Sequence, residues 1–291
     1  MRWDESHDSP DVVDRRGETP ARGGGGLGGM LSLVPWLLRM PYGWVVVLGG
    51  AVFYLARGFL SGGVDPQRAH GGSLPNAGAR VETPEVHFVS FVLDDAQASW
   101  EQQFAGQGRA YRHAKLVLYT DATDTGCGFG DAATGPFYCP TDERVYIDLG
   151  FFRELAGRLG ARGQFAEAYV IAHELGHHVQ KLLGISERVD SMRSTQGATG
   201  ASVRLELQAD CFAGIWAHST EQRDLLESGD IESAVGAAAA VGDDRLQRMT
   251  KGTVTPESWT HGSSQERVRW FRRGLDTGSI KSCDTFSAPQ L

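Results

Sequence analysis

The segment AYVIAHELGHHVQ, residues 168–180, limits what this chain can fold into more than any other stretch. It has the apolar content of a buried helix, yet it holds three histidines and a glutamate, side chains that are buried only with partners. On a helix His173 and His177 stand four residues apart and share one face, a spacing at which two neutral imidazoles reach one Zn²⁺. Glu174 is rotated about 100° from His173, so it approaches a water at the metal and not the metal itself. This is the H-E-x-x-H arrangement, with glutamate as general base. His178 is turned away from His177 by the same angle and is expected to pack, not to ligate.

A catalytic zinc needs a third protein ligand and an open fourth position. RLELQADC offers Glu206 as that ligand. Asp210, one turn further on, is placed to accept the second ring N–H of a ligating histidine, which fixes its tautomer. Leu205, Leu207, Ala209, Cys211 and Phe212 surround the two acids, so they read as buried and partnered instead of as a solvated face. The four cysteines are spaced too widely for a Cys-type zinc site. Cys127 and Cys139 flank a Gly-rich turn and are the first disulfide candidates; Cys211 with Cys283 is the remaining pair, with a free, buried Cys211 as the alternative. Asp243, Asp244 and Arg245 read as an ion-paired helix surface.

Of the 291 residues 38 are glycines, whose runs cluster before residue 80, and the net charge of −8 argues against nucleic-acid binding. Residues 40–56 carry no charge and would span about 25 Å as a helix, with Trp36, Tyr42 and Trp44 at the start. The expected organisation is a cytoplasmic N-terminal tail (1–39), one transmembrane helix (40–60), a Gly-rich linker (61–83) and a globular domain (84–291). Five arginines before the apolar run against three in 57–80 favour an N-terminus inside. Four cysteines beyond it favour an oxidising, extracytoplasmic side. Within the domain, helices are expected at 94–105, 151–160, 164–184, 201–229, 231–249 and 263–275, a strand at 115–119 and a hairpin over 135–149. That order predicts an α+β fold, a small antiparallel sheet followed by a mainly helical half. KLVLY or VYIDL is expected to present the edge to which an extended peptide adds.

The segments MRW…VVDRRG, GCG…GPFYCP, VYIDLGFF, YVIAHELGHHVQKLLGI, RLELQADCFAGIWAHS, GDDRLQ, THGSSQERVRWFRRG and CDTF resemble the bacterial YpfJ-like family of neutral zinc metallopeptidases over essentially the whole chain. More distantly, HELGH followed by ELQAD is similar to gluzincin peptidases, which implies a zincin-like fold and a glutamate on a later helix as third ligand. THGSSQER is similar to the corresponding segment of Ste24/HtpX-type membrane gluzincins. That likeness implies catalytic roles for His261, as oxyanion donor, and Arg267, which would orient it or touch substrate. The relatives carry proline where this chain has Gly262. Tyr138 is a further donor candidate.

Two functions are compatible with these residues. One is a membrane-anchored zinc peptidase of the bacterial cytoplasmic membrane, acting outside the cytoplasm on proteins or peptides, cell-wall peptides included. The other is an extracytoplasmic binding or adaptor protein stabilised by its metal and without peptidase activity. Glu174 separates them, because a structural site gains nothing from a carboxylate that does not bind the metal.

Overall fold

The computed structural model describes residues 1–18, 83–190 and 197–291. All lie within one compact unit, Met1–Thr19 with Glu82–Leu291. The expected transmembrane helix at 40–60, with all but the last residue of the linker, falls outside the described residues. No helix among those described is long and apolar enough to cross a membrane.

The sheet has the order β1 (Val12–Asp14), β2 (Lys115–Tyr119), β6 (Arg144–Asp148), β5 (Phe137–Cys139). The β5–β6 hairpin is antiparallel, as expected, but β1–β2 and β2–β6 are parallel, which corrects the antiparallel sheet read from the sequence. The reason is geometric: β5, which follows β2 in the chain, runs back along the outer side of β6, so β6 itself takes the direction of β2. Parallel strands are covered on both faces, and Leu116, Val117, Leu118 and Tyr119 are all buried. Leu116, Leu118, Val145 and Ile147 face the main core, while Val117, Tyr119 and Tyr146 pack on the other side with Cys139. With β1 and β5 as neighbours, neither KLVLY nor VYIDL keeps a free edge. Among the described residues the edges of this sheet are β1 and β5. A separate hairpin, β3 (Ala122–Thr125) with β4 (Gly128–Asp131), is tied to β5 by the Cys127–Cys139 disulfide.

The N-terminal residues are the larger correction. They were expected as a tail apart from the domain, yet β1 forms a three-residue parallel ladder, Val12 with Leu116 to Asp14 with Leu118. Trp3 packs edge-on against Phe88, and Ser9 and His7 hydrogen-bond the two oxygens of Asp94. A strand of three residues leaves little periodicity to read, and its partner lies about a hundred residues downstream. Both flanks of the 19–82 segment thus belong to one folded unit. Deleting residues 1–18 uncovers Leu116 and the whole edge of β2, and is expected to cost at least about 3 kcal/mol. Urea unfolding of the truncated chain beside the full one measures it; equal midpoints would show that the docking is dispensable.

Helix α1 (Pro84–Ala105) is longer than read from the sequence. Pro84 opens its first turn, where the missing N–H costs nothing, and Val86, Phe88, Val89, Val92, Leu93, Ala96 and Trp100 bury one face. After α2 (Gly150–Gly157), α3 (Gln164–Leu182) is buried almost all round, between the sheet and the later helices. A short α4 (Ile185–Asp190) follows, then α5 (Ala201–Gln222). The expected helix at 231–249 is two, α6 (Asp230–Ala240) and α7 (Asp243–Lys251). The break falls at Gly242, whose backbone is extended, and a Cβ there would run into the backbone of Ser264. Helix α8 (Ser264–Thr277) starts with a capping box between Ser263 and Glu266. At Gly214 of α5 and Gly274 of α8 a Cβ would overlap the facing backbone, so these two helices lie in direct main-chain contact.

Glu167 on α3 is partly buried near Glu85, and both burial and that neighbour push its carboxyl up to about 7. A folded-state pKa above the unfolded one means the group favours folding below about pH 4.5 and loses that contribution as pH rises through 7. Glu167→Gln should therefore match wild type at pH 4.5 and exceed it above pH 7, by about 1–2 kcal/mol after allowing for partial exposure. Unfolding curves at the two pH values test the sign; no gain at the higher pH would refute it.

Candidate metal centre

Helix α3 carries His173, Glu174 and His177, and α5 carries Glu206 and Asp210 on the face turned towards it. The two helices approach closely at Gly176, where a Cβ would press on the backbone of Ala209. The small residue inside HELGH thus sets the distance across which the motif meets ELQAD. One carboxylate of Glu206 faces both rings: its Oε2 lies 3.2 Å from His173 Nε2 and its Oε1 3.5 Å from His177 Nε2. Ligand atoms of the three residues all fall within 4.8 Å of one another.

The opposite ring nitrogens are held. His173 Nδ1 donates to Asp210 Oδ1 at 2.9 Å. His177 Nδ1 donates to Gln180 Oε1 at 2.9 Å, a partner the sequence reading did not single out. With both Nδ1 atoms engaged, Nε2 of each ring is the atom turned towards Glu206 and, once it has lost its proton, open to a metal. Two nitrogens and one carboxylate oxygen in the buried wall of a cavity are a zinc-type donor set, and these residues fit the ion. Burial would raise the Glu206 carboxyl, but the charge of His177 and the hydrogen bond to His173 outweigh it and hold it well below the carboxylate range. Burial lowers His173, yet Asp210 and Glu206 push it up to about 10. The pocket favours positive charge where the rings meet.

Asp210 has no exposed surface and is saturated. Arg267 of α8 grips it with two bonds of 2.8 Å, Nε to Oδ2 and Nη2 to Oδ1, and the Tyr169 hydroxyl donates to Oδ1 as well. Arg267 is 4% exposed. Its guanidinium is spent on Asp210 and, at 3.2 Å, on the Tyr169 hydroxyl. It holds the group that holds His173 and also lines the cavity; none of its hydrogen bonds goes to His261.

His261 lines the same cavity, on the loop before α8, and is half exposed. Asp243, read from sequence as part of a helix surface, is in fact 8% exposed. Its Oδ2 accepts the backbone N–H groups of Thr260, His261 and Gly262, and its Oδ1 lies 3.2 Å from His261 Nδ1. That contact raises the pKa of His261. Asp244 keeps the surface role, pairing with Arg248 at 3.4 Å. Gly262 has φ +87°, a conformation closed to proline, so this turn differs in backbone from the proline-bearing one it was compared with.

His178 is fully buried and does not reach the cluster. Its Nε2 donates to the Arg112 carbonyl at 2.6 Å, so Nδ1 accepts from the Tyr138 hydroxyl at 2.9 Å. The Tyr138 proton is thereby engaged, which removes it as a free donor. Glu174 is 8% exposed and lines the cavity, of about 580 Å³, together with His173, His177, Glu206 and His261. The second disulfide is Cys211–Cys283.

A His, His, Glu donor set with a further carboxylate beside it is the set that a catalytic zinc would take. A sequence profile of the family described as "Putative neutral zinc metallopeptidase" matches residues 1–286, and the chain belongs to that family. The protein YpfJ of Escherichia coli K12 is 45% identical over 300 residues, covering 98% of this chain and 99% of YpfJ. Rv2575 of Mycobacterium tuberculosis H37Rv is 45% identical over 209 residues, 68% of this chain and 69% of its own. No solved structure matches the chain.

Proposed function

We propose that the chain is a zinc-dependent endopeptidase whose nucleophile is water and whose general base is Glu174. The observation that carries this reading is the carboxylate of Glu174 in the cavity wall beside three converging ligands, itself outside the ligand set. A bound zinc supplies a Lewis acid that acidifies water and polarises the scissile carbonyl. Glu174 takes the proton from the attacking water and passes it to the departing nitrogen. His261, oriented by Asp243, donates to the oxyanion as it develops. The free edge of β5 supports the reading further, since Phe137 and Tyr138 line the cavity where an extended peptide would add as a strand. Phe151, Leu159, Val170, Leu246 and Met249 line the same space and suit a large apolar side chain of the substrate.

We place this unit on the extracytoplasmic side of the cytoplasmic membrane, supported by its two disulfides. Residues 1–18 share that side, being part of the unit. The test is cleavage of unfolded proteins by the full chain carrying one zinc. A zinc-loaded chain that cuts no peptide bond would overturn the peptidase reading in favour of a binding protein.

A further inference from the structure

Gln180 lies one turn beyond His177 on α3 and has no exposed surface. Its amide makes three hydrogen bonds: Oε1 accepts from His177 Nδ1 at 2.9 Å, and Nε2 donates to the Leu205 carbonyl at 2.7 Å and to Gln208 Oε1 at 3.1 Å. Gln208, 5% exposed, in turn donates from Nε2 to the Cys283 carbonyl at 2.9 Å.

The direction of this chain of bonds is not free. A backbone carbonyl can only accept, so Cys283 requires the NH₂ end of Gln208 and turns its oxygen towards Gln180. Gln208 Oε1 and the Leu205 carbonyl then both require the NH₂ end of Gln180, which leaves Gln180 only its oxygen for His177. An oxygen facing Nδ1 requires a proton there, and in the neutral ring that leaves the lone pair on Nε2. Cys283 is itself fixed by its disulfide to Cys211 on α5. The C-terminal segment thereby reaches the metal site through two glutamines.

We propose that Gln180 is a positioning residue for His177, and that Gln208 and the Cys283 carbonyl lock its amide so that His177 always offers Nε2. This rests on the zinc reading of the site. Asp210 does the same work for His173 with a carboxylate, buried against Arg267. At His177 the work is done by a neutral amide, which adds no charge to a site whose cavity is already lined by Glu174 and Glu206, with Asp210 buried behind them.

The test uses the full chain and two readouts that need no substrate: zinc affinity by competition with a chelator, and solvent exchange of the His177 Nδ1 proton by nitrogen-15 NMR of the zinc-loaded protein. Gln180→Leu should weaken zinc binding roughly 10–100-fold, the usual cost of losing an outer-shell partner, and expose the Nδ1 proton to rapid exchange. Gln208→Met, which keeps the Leu205 anchor, should give a smaller change in the same direction on both. If Gln180→Leu does not fold, Gln208→Met decides alone. Wild-type affinity and a protected Nδ1 proton in either folded variant would overturn the proposal. Failure of the wild-type chain to take up zinc at His173, His177 and Glu206 would instead sink the reading on which it rests.

Discussion

Glu174→Gln is expected to lower peptide-bond cleavage by about 10²–10⁴-fold, the range that removal of a general base brings, while zinc content stays at one per chain. The amide is isosteric and still fills the cavity wall, so folding and metal binding should hardly change. What it loses is the ability to accept the proton of water. The measurement pairs turnover of an unfolded substrate with metal analysis of the same sample. Loss of both zinc and turnover would mean that Glu174 belongs to the ligand set after all. Retained turnover would move the proton transfer to another group.

The second large effect is expected at Arg267. Its replacement by Met leaves Asp210 with no exposed surface and without the cation that balances it. Removing one partner of a buried pair typically costs about 3–5 kcal/mol, because the remaining charge is uncompensated. Burial opposes the ionised form of Asp210, and Arg267 with His173 is what overcomes it. Adding Asp210→Asn to Arg267→Met should therefore recover part of the lost stability, a non-additive result that a cycle of the two substitutions reads directly. Had Arg267 been a substrate contact, its loss would raise KM and leave the unfolding midpoint in place. A stability change below about 1 kcal/mol would reject the structural role argued here.

How far the sequence reached depended on how local each feature is. His173 and His177, and equally Glu206 and Asp210, are pairs within one helix, and a four-residue spacing fixes their common face before any tertiary contact forms. The meeting of the two helices required only one site for two acidic and two basic groups set among apolar neighbours. Gln180 was also local, at the third position after His177, but glutamine is common on helices and its sequence context shows neither burial nor the direction of its amide. Asp243 was hidden by a break in a run that otherwise reads as one alanine-rich helix. The clue lay in GDD itself, a glycine followed by two acids as at a new helix start. The role of Arg267 could not follow from resemblance, since the close approach that delivers it to Asp210 depends on Gly214 and Gly274, far apart in the chain. The parallel sheet was illegible for a similar reason: β5–β6 is read from a short hairpin, but β1–β2 joins segments with no local signal of each other.

That outer strand also bears on the order in which the molecule forms. The β5–β6 hairpin closes over a few residues, whereas β1 must find β2 across roughly a hundred, a closure costing about 4 kcal/mol of chain entropy. Three residue pairs are a small return for so long a search. The ladder is thus expected to close late, after α1, β2 and the helical half have built the surface that Trp3 and Val12 cover. Substitutions in β1 should accordingly speed unfolding and leave the folding rate almost unchanged. Until that step, β2 keeps a bare edge, open to any other extended chain.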